Sequence, residues 1–406
     1  KKFPNCLRRP SDSRRRGPGV PPLPLRGGML LRAVRCAPRS SAGLARRLVN
    51  CAAQYRTKPE WLADNTEDVE CEILYVVGGL YGNAFALEAL RTVLKAEIAK
   101  NPENDIAVVF NGDFNFFNAT PEAWVAINAA VHGRVSEGMG GRVHAFATRG
   151  NVEAEVSAAV CVPDAVIGCG CAYPKKAGPA LEANATAIVQ QLHAAACEAD
   201  AAGHEWIAPW LKSLPFTRTF QVGDARVAAI HGDATCVNGW RFAADALESG
   251  PPRNGQLLDA TLSSWLERAE VDIFASTHTC LPVFKKLEQG ECAKVAGQCT
   301  STKGGIVANN GAAGMGNFER ELCGIVTRIA IEYVETPVEA LYATWVHDVT
   351  VEAIPLHFDV QKWLDDDFLP RWPPGSAAHD AYYDRIVGGV VDWFPRNATK
   401  DARAPP

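Results

Sequence analysis

The sequence predicts one α/β domain with a mixed, partly layered sheet system. Three observations predict it. Short apolar runs alternate with stretches of helical period. Polar motifs fall where the apolar runs end, which is where α/β folds place their sites. No internal repeat or long linker interrupts residues 70–395.

The elements follow in order. An apolar run at 71–77 ends in GGLYGN and leads to a helix over 84–100, whose Phe85, Leu87, Leu90, Val93 and Leu94 recur at helical spacing. A strand at 106–110 ends in NGDFNFFN, and a helix near 121–132 precedes a strand at 143–148 ending in RGNVE. An alanine-rich helical region covers 179–213. Strands near 216–222 and 225–230 flank Gly223–Asp224, a hairpin signal, and the second ends in HGD. Helices near 238–247 and 256–269 lead to a strand at 271–276 ending in THTCLP. Strands at 306–310, 323–333, 340–348 and 350–357 follow, then helices near 359–368 and 376–388.

Composition divides the chain at its head. Residues 1–59 hold 15 Lys and Arg against one acid, Asp12, leaving 26 basic and 45 acidic residues beyond, a balance of −19. So acidic a body is a poor nucleic-acid binder, because phosphates reward cations and repel carboxylates. No apolar run reaches the roughly 20 residues of a membrane-spanning helix. Residues 1–58 form a basic extension. From Met29, Arg32, Arg35, Arg39, Arg46 and Arg47 alternate with Leu30, Leu31, Val34, Leu44 and Leu48, and no acid occurs before Glu60. That pattern reads as a mitochondrial presequence cleaved near 48–58, with residues 1–28 an upstream reading-frame extension or an arm unable to build a core. A basic surface helix or an RNA-binding tail is the competing reading. The thirteen cysteines are scattered, without paired Cys-x-x-Cys units. Cys169 and Cys171 form the tightest pair, and a reducing compartment such as the matrix suits the set.

Five motifs in order, GLYGN, GD, GN, HGD and THTCLP, each close an apolar strand. In this the chain resembles the calcineurin-like metallophosphoesterases, whose pattern is D-x-H, G-D, G-N-H, an isolated His and G-H-x-H. NNGAAGMGNF (309–318) is similar to the family's closing turn. GNVE, GCGCAYP, THTCLP and WPPGSAAH (372–379) resemble a little-characterised subgroup, so the likeness covers roughly 70–390. The resemblance implies a sandwich of mixed sheets holding two cations about 3.5–4 Å apart, bridged by one carboxylate.

Matched residue by residue, the bridging Asp is Asp113, the amide ligand Asn151, the isolated His His231 and the first His of G-H-x-H His278. These imply one metal half-site. The other half is degenerate: Gly79 stands at the Asp position, Tyr81 at the His, and Cys280 at the second His of G-H-x-H. Val152 takes the place of the His that assists the leaving group. Cys280 could ligate as a thiolate, and Glu153 either replaces a lost ligand or faces solvent. Asn115 and Asn118 stand where the subgroup's His and Asp are expected. Against the metal reading, Asp113 and Asn151 could cap loops, both histidines could be satisfied core residues, and the NGAAGMG turn could be a tight turn rather than an anion cradle.

Three functions are in contention. The first is a pseudoenzyme, an accessory subunit of a respiratory complex, ATP synthase or the mitochondrial ribosome, with protein partners and no direct nucleic-acid contact. The tail's Trp363, Trp372 and Trp393 offer it aromatic docking surface. The second is an active phosphatase or phosphodiesterase using a single Zn, Mn, Fe or Mg ion. The third is a metal- or nucleotide-binding sensor without turnover. A bound ion is expected in the second, and one or none in the first.

Overall fold

The computed structural model describes residues 53–399, except 65–67, 161, 163–164, 166, 172, 175–176, 249–256 and 296–297. The presequence reading therefore lies outside the described residues, apart from 53–58.

The first sheet has the order β13-β14-β12-β2-β3-β4. Its parallel half is β2 (Ile73–Val77), β3 (Ile106–Asn111) and β4 (Val143–Thr148), and its antiparallel half is β12 (Gly324–Ile331), β13 (Tyr342–Val346) and β14 (Val349–Leu356). The second sheet, β1-β5-β6-β7-β11-β8, comprises Val69–Cys71, Thr217–Val222, Ala225–Ile230, Ile273–Ser276, Gly305–Asn310 and Pro282–Leu287. Both sheets mix parallel and antiparallel pairs. A separate hairpin joins β9 (Gly290–Val295) to β10 (Gln298–Thr302). Every residue of β2, β3, β7, β11 and β12 is buried, as expected of strands covered on both faces.

The helices are α1 (Glu60–Ala63), α2 (Ala84–Lys100), α3 (Pro121–Val131), α4 (Asn151–Ala159), α5 (Gly178–Ala201), α6 (Ile207–Ser213) and α7 (Asp259–Ala269), then the C-terminal α8 (Val360–Trp363), α9 (Leu369–Arg371), α10 (Ala377–Gly388) and α11 (Pro395–Ala398). Asn83 starts α2 by accepting from the Phe85 and Ala86 amides at 2.9 and 3.0 Å. Thr120 caps α3, with Pro121 at its first position.

Asparagines fasten the sheets where the strands end. Asn111 Nδ2, on β3, donates to the Ile230 and Ala275 carbonyls of β6 and β7 at 2.8 and 3.2 Å, and its Oδ1 accepts from Thr148 of β4. Asn310 Nδ2 donates to the Gly78 and Ile325 carbonyls. The four bonds to carbonyls satisfy buried acceptors near strand ends and fix one sheet against the other, while the Thr148 bond ties β4 to β3 within the first sheet.

Several expectations need correction. Residues 238–247 form turns, not a helix: Asp233 accepts from the amides of Thr235 at 2.8 Å and Arg241 at 3.2 Å, bending the chain before a helix can start. The 179–213 region is two helices broken at 202–206. Strands β1, β8, β9 and β10 are additional to those the sequence predicts. The tail tryptophans are not docking surface. Trp363 and Trp372 are buried, Trp372 donating to the Phe117 carbonyl at 3.1 Å, and Trp393 is half-buried against the core.

Candidate metal centre

Five strand ends deliver the candidate residues. β2 gives Gly79 and Tyr81, β3 gives Asp113, β4 leads to Asn151 at the start of α4, β6 gives His231, and β7 gives His278 and Cys280.

Backbone geometry explains the glycines between them. A β-carbon on Gly112 would lie 2.5 Å from the Gly150 nitrogen and 2.7 Å from His231 Nδ1. One on Gly150 would lie 2.4 Å from Asp113 Oδ1. Only glycine lets these two loops close on the aspartate. Asp113 itself, at φ 52°, adopts the left-handed conformation that Asp tolerates better than most residues.

Asp113, His231 and His278 come together, each buried, with one ligand atom apiece inside a 4.8 Å cluster. His231 Nε2 lies 3.3 Å from Asp113 Oδ2 and 3.1 Å from His278 Nδ1. For metal–ligand bonds of 2.0–2.1 Å, the edge of a coordination tetrahedron is roughly 3.3–3.4 Å. The observed spacings are close to that edge. His231 Nδ1 lies 2.9 Å from the Asn111 carbonyl; donating there leaves Nε2 as the face turned to the cluster.

Asn151 is fully buried, and its Nδ2 donates to the Cys169 carbonyl at 2.7 Å and to Cys171 Sγ at 3.2 Å. Among the described residues its Oδ1, also buried, has no hydrogen-bond partner. A buried orphan acceptor costs about 1–3 kcal/mol and fits a side chain whose oxygen is set to meet a cation. The residues present thus suit one ion.

Electrostatics treat the two histidines differently: burial works to lower the His231 pKa, but the facing Asp113 carboxylate outweighs it and holds that imidazole above its usual range. Burial works to raise the Asp113 pKa, but the facing His231 and His278 outweigh it and hold the carboxyl below its usual range. Burial and the neighbouring His231 push His278 down to about 3, leaving a neutral imidazole, the form that binds metal.

Where the resemblance expects the other half-site, the chain has different chemistry. Gly79 (φ 64°) carries no side chain, and a β-carbon there would come within 2.9 Å of Cε2, Cζ and Oη of Tyr81. The phenol therefore fills the space into which a side chain at 79 would project. Tyr81 is 3% exposed and packs against Phe116 and Phe117, ring centroids 5.9 Å away in both cases. Its hydroxyl lies 2.8 Å from Cys280 Sγ, so that thiol is engaged by the tyrosine and stands outside the Asp113 cluster. Helix α10 closes the wall: Tyr382 packs on both phenylalanines, and Arg385 donates to the Cys280 carbonyl at 2.7 Å.

Glu153 neither replaces a ligand nor faces solvent. It is fully buried and accepts from the amides of Asp113 (2.7 Å), Gly150 (3.1 Å) and Asn115 (3.2 Å). Burial and the Asp113 charge push its carboxyl up to about 7. Its signal was legible, a glutamate three residues past the Gly that opens α4, where such residues reach back to the start of a helix. Val152 is buried in the core, and its amide donates to Asp113 Oδ1 at 3.3 Å. Asn115 and Asn118 bond to each other and, through Asn115, to Asn128. The glycine-rich turn is not an anion cradle at Ala313 and Gly314, whose amides are spent on the Gly78 and Gly79 carbonyls at 2.9 and 3.0 Å.

No protein-family profile matches the chain, and no curated protein matches its sequence. Among solved structures it is similar to a hypothetical protein from Pyrococcus horikoshii OT3, at 14% identity and TM-score 0.45 over 79% of this chain and 99% of that one. It is similar to a metallophosphoesterase from Sphaerobacter thermophilus, at 12% identity and TM-score 0.39 over 78% and 100%. Vacuolar protein sorting 29 from Cryptosporidium parvum follows at 14% and 0.28, over 71% and 99%. What carries the resemblance is convergence: motifs spread over some two hundred residues of sequence end around one aspartate. The fold is α/β, two mixed sheets flanked by helices, the architecture that the resemblance implies. Among the described residues, no helix is long and apolar enough to cross a membrane.

Proposed function

We propose that this chain is a catalytically degenerate metallophosphoesterase-fold protein, holding at most one divalent ion, that serves as an accessory subunit of a mitochondrial assembly. One observation carries the degenerate part: the Tyr81 phenol occupies the volume that a side chain at position 79 would need. A second cation there would lack an anionic anchor, and Asp113 alone would face two dications. Val152, an alkyl group in the core, has no proton to give a leaving group.

Asp113, His231 and His278 would hold the single ion, with Asn151 Oδ1 as the fourth donor. Two imidazoles and two oxygens suit Zn, Fe or Mn better than Mg. When bound, such an ion polarises a phosphoryl oxygen and acidifies a coordinated water. The rest of the chain supplies rigidity: the asparagine fasteners and Glu153 fix the loops whether or not the ion turns over a substrate. The mitochondrial part is supported by the Arg-rich, acid-free pattern from Met29 to Pro59 and by the acidic body beyond it, with a respiratory complex, ATP synthase or the ribosome as host.

Metal analysis of the purified chain tests the first part. About one zinc or iron per chain is expected, falling towards none in Asp113→Asn, without turnover of an aryl phosphate. Two ions per chain with turnover would sink the degenerate reading. For the second part, residues 29–58 fused to a reporter should enter mitochondria, and the endogenous protein should migrate in a high-mass particle after gentle lysis. Cytosolic reporter and a free chain would refute it. The complete three-ligand cluster favours one alternative, a single-metal phosphoesterase. Turnover that needs one ion and Asp113 would put it first.

A further inference from the structure

Beyond the metal centre, the face formed by the ends of β12, β13 and β14 carries a groove with an apolar floor and an acidic rim. Two adjoining cavities of about 750 and 390 Å³ share His357 and Phe358. The floor of the larger is Cys323 and Pro355, both buried, with the half-buried Leu341 and Val360. Four carboxylates line the pair, Glu321 and Glu339 on the larger cavity and Glu88 and Asp359 on the smaller, and neither lining contains a Lys or Arg.

Two of the four are already engaged. Glu88 pairs with Arg91 at 3.7 Å, and Asp359 accepts from the Lys362 amide at 2.9 Å. Lys362, whose ammonium lies over the Phe85 ring of the smaller cavity, is paired with Asp366. Glu321 and Glu339 are exposed and have no ion-pair partner among the described residues. Anionic groups without local cations, beside an apolar trough, complement a chain that alternates cations with alkyl side chains. The same charges repel anionic lipid surfaces and nucleic acids.

We propose that this groove docks a basic, apolar peptide segment of a protein partner, Lys or Arg meeting Glu321 and Glu339 while alkyl groups settle on Leu341, Val360 and Phe358. None of these residues belongs to the metal cluster, so the proposal stands whether or not the ion is catalytic.

The probe is a labelled peptide of alternating arginine and leucine, titrated against the full chain by fluorescence anisotropy. Saturable binding is expected, weakened roughly tenfold in the double variant Glu321→Lys/Glu339→Lys, as expected when attraction becomes like-charge repulsion. Both positions are exposed, so the thermal midpoint and metal content should match the parent. Replacing leucine by serine in the probe should weaken binding again, and arginine amide alone should compete poorly. The proposal is overturned if the double variant binds like the parent, which places the peptide elsewhere on the acidic body. It is also overturned if the arginine–serine probe or arginine amide binds as well as the arginine–leucine probe, which leaves the apolar floor unused.

Discussion

Replacing Gly79 by Asp and Tyr81 by His separates a plugged half-site from a merely depleted one. Gly79→Asp alone should be costly. The left-handed backbone costs a non-glycine residue about 1 kcal/mol, somewhat relieved for Asp. Forcing atoms against the tyrosine ring, already 2.9 Å from a bare β-carbon, adds about 1–3 kcal/mol. Tyr81→His alone removes part of a buried ring from Phe116 and Phe117 and takes the phenol hydroxyl from the Cys280 thiol, for about 2–3 kcal/mol. Were the sites independent, the double variant would lose about 4–7 kcal/mol. Because the smaller imidazole leaves room for the carboxylate, the clash disappears, and the double variant should be about 1–3 kcal/mol more stable than the sum. Urea unfolding of chelator-treated protein measures all four corners of the cycle. Metal analysis after reconstitution then reports the function: a second ion should enter the double variant and neither single variant. Additivity within about 0.5 kcal/mol, with no second ion in the double variant, would refute the reasoning.

Two further outcomes follow from the geometry. Glu153→Ala leaves three buried amides, those of Asp113, Gly150 and Asn115, without their acceptor and should cost about 2–4 kcal/mol in urea unfolding. The folded fraction should keep its ion, whereas loss of metal without loss of stability would make Glu153 a ligand after all. Asp68 supplies the pH dependence. Burial pushes its carboxyl up, but Arg226, bonded at 2.8 and 3.2 Å, and the Thr219 hydroxyl hold it below the usual range. Its folded pKa being the lower, its stabilisation is complete above the unfolded value of about 3.9 and is lost as pH falls through the folded value. Between pH 5 and 3 the urea midpoint of the parent should fall faster than that of Asp68→Asn, and parallel curves would remove Asp68 from the acid response.

Much of the fold is legible because the strands that deliver the candidate site, β2, β3, β4, β6 and β7, are largely apolar runs closed by glycine or polar residues. Where such runs are wholly buried, as in β2, β3 and β11, nothing competes with the reading. The errors sit where side chains compete with the backbone. FAADALE, at 242–248, has helical composition, yet Asp233 takes the Arg241 amide, and Gly239 packs so close that a β-carbon would lie 1.9 Å from Asp233 Oδ2. A window of local propensity contains neither contact. The β9–β10 hairpin mixes charges and cysteines without clean alternation, so period two never emerges. The tail tryptophans suit docking surface or core equally well in the sequence; for Trp372 the Phe117 carbonyl, 255 residues earlier, decides for the core.

The candidate site divides in the same way. Asp113, His231 and His278 stand out in sequence because each is a lone titratable group at the end of an apolar strand. Gly79 and Tyr81 also stand out, but as two separate departures from a pattern. Physically they are one change. The ring at 81 occupies the volume that the residue at 79 gives up, and the thiol at 280 meets its hydroxyl. On the proposed reading this makes the change self-locking: with the tyrosine in place, any side chain at 79 is strained, and with glycine at 79, a histidine at 81 would leave a void beside two phenylalanines. Each single reversal costs stability and gains no ion, since a second cation needs both ligands at once. On that reading a half-site lost in this way is not regained one residue at a time, and the Asp113, His231 and His278 cluster is left to hold at most one ion.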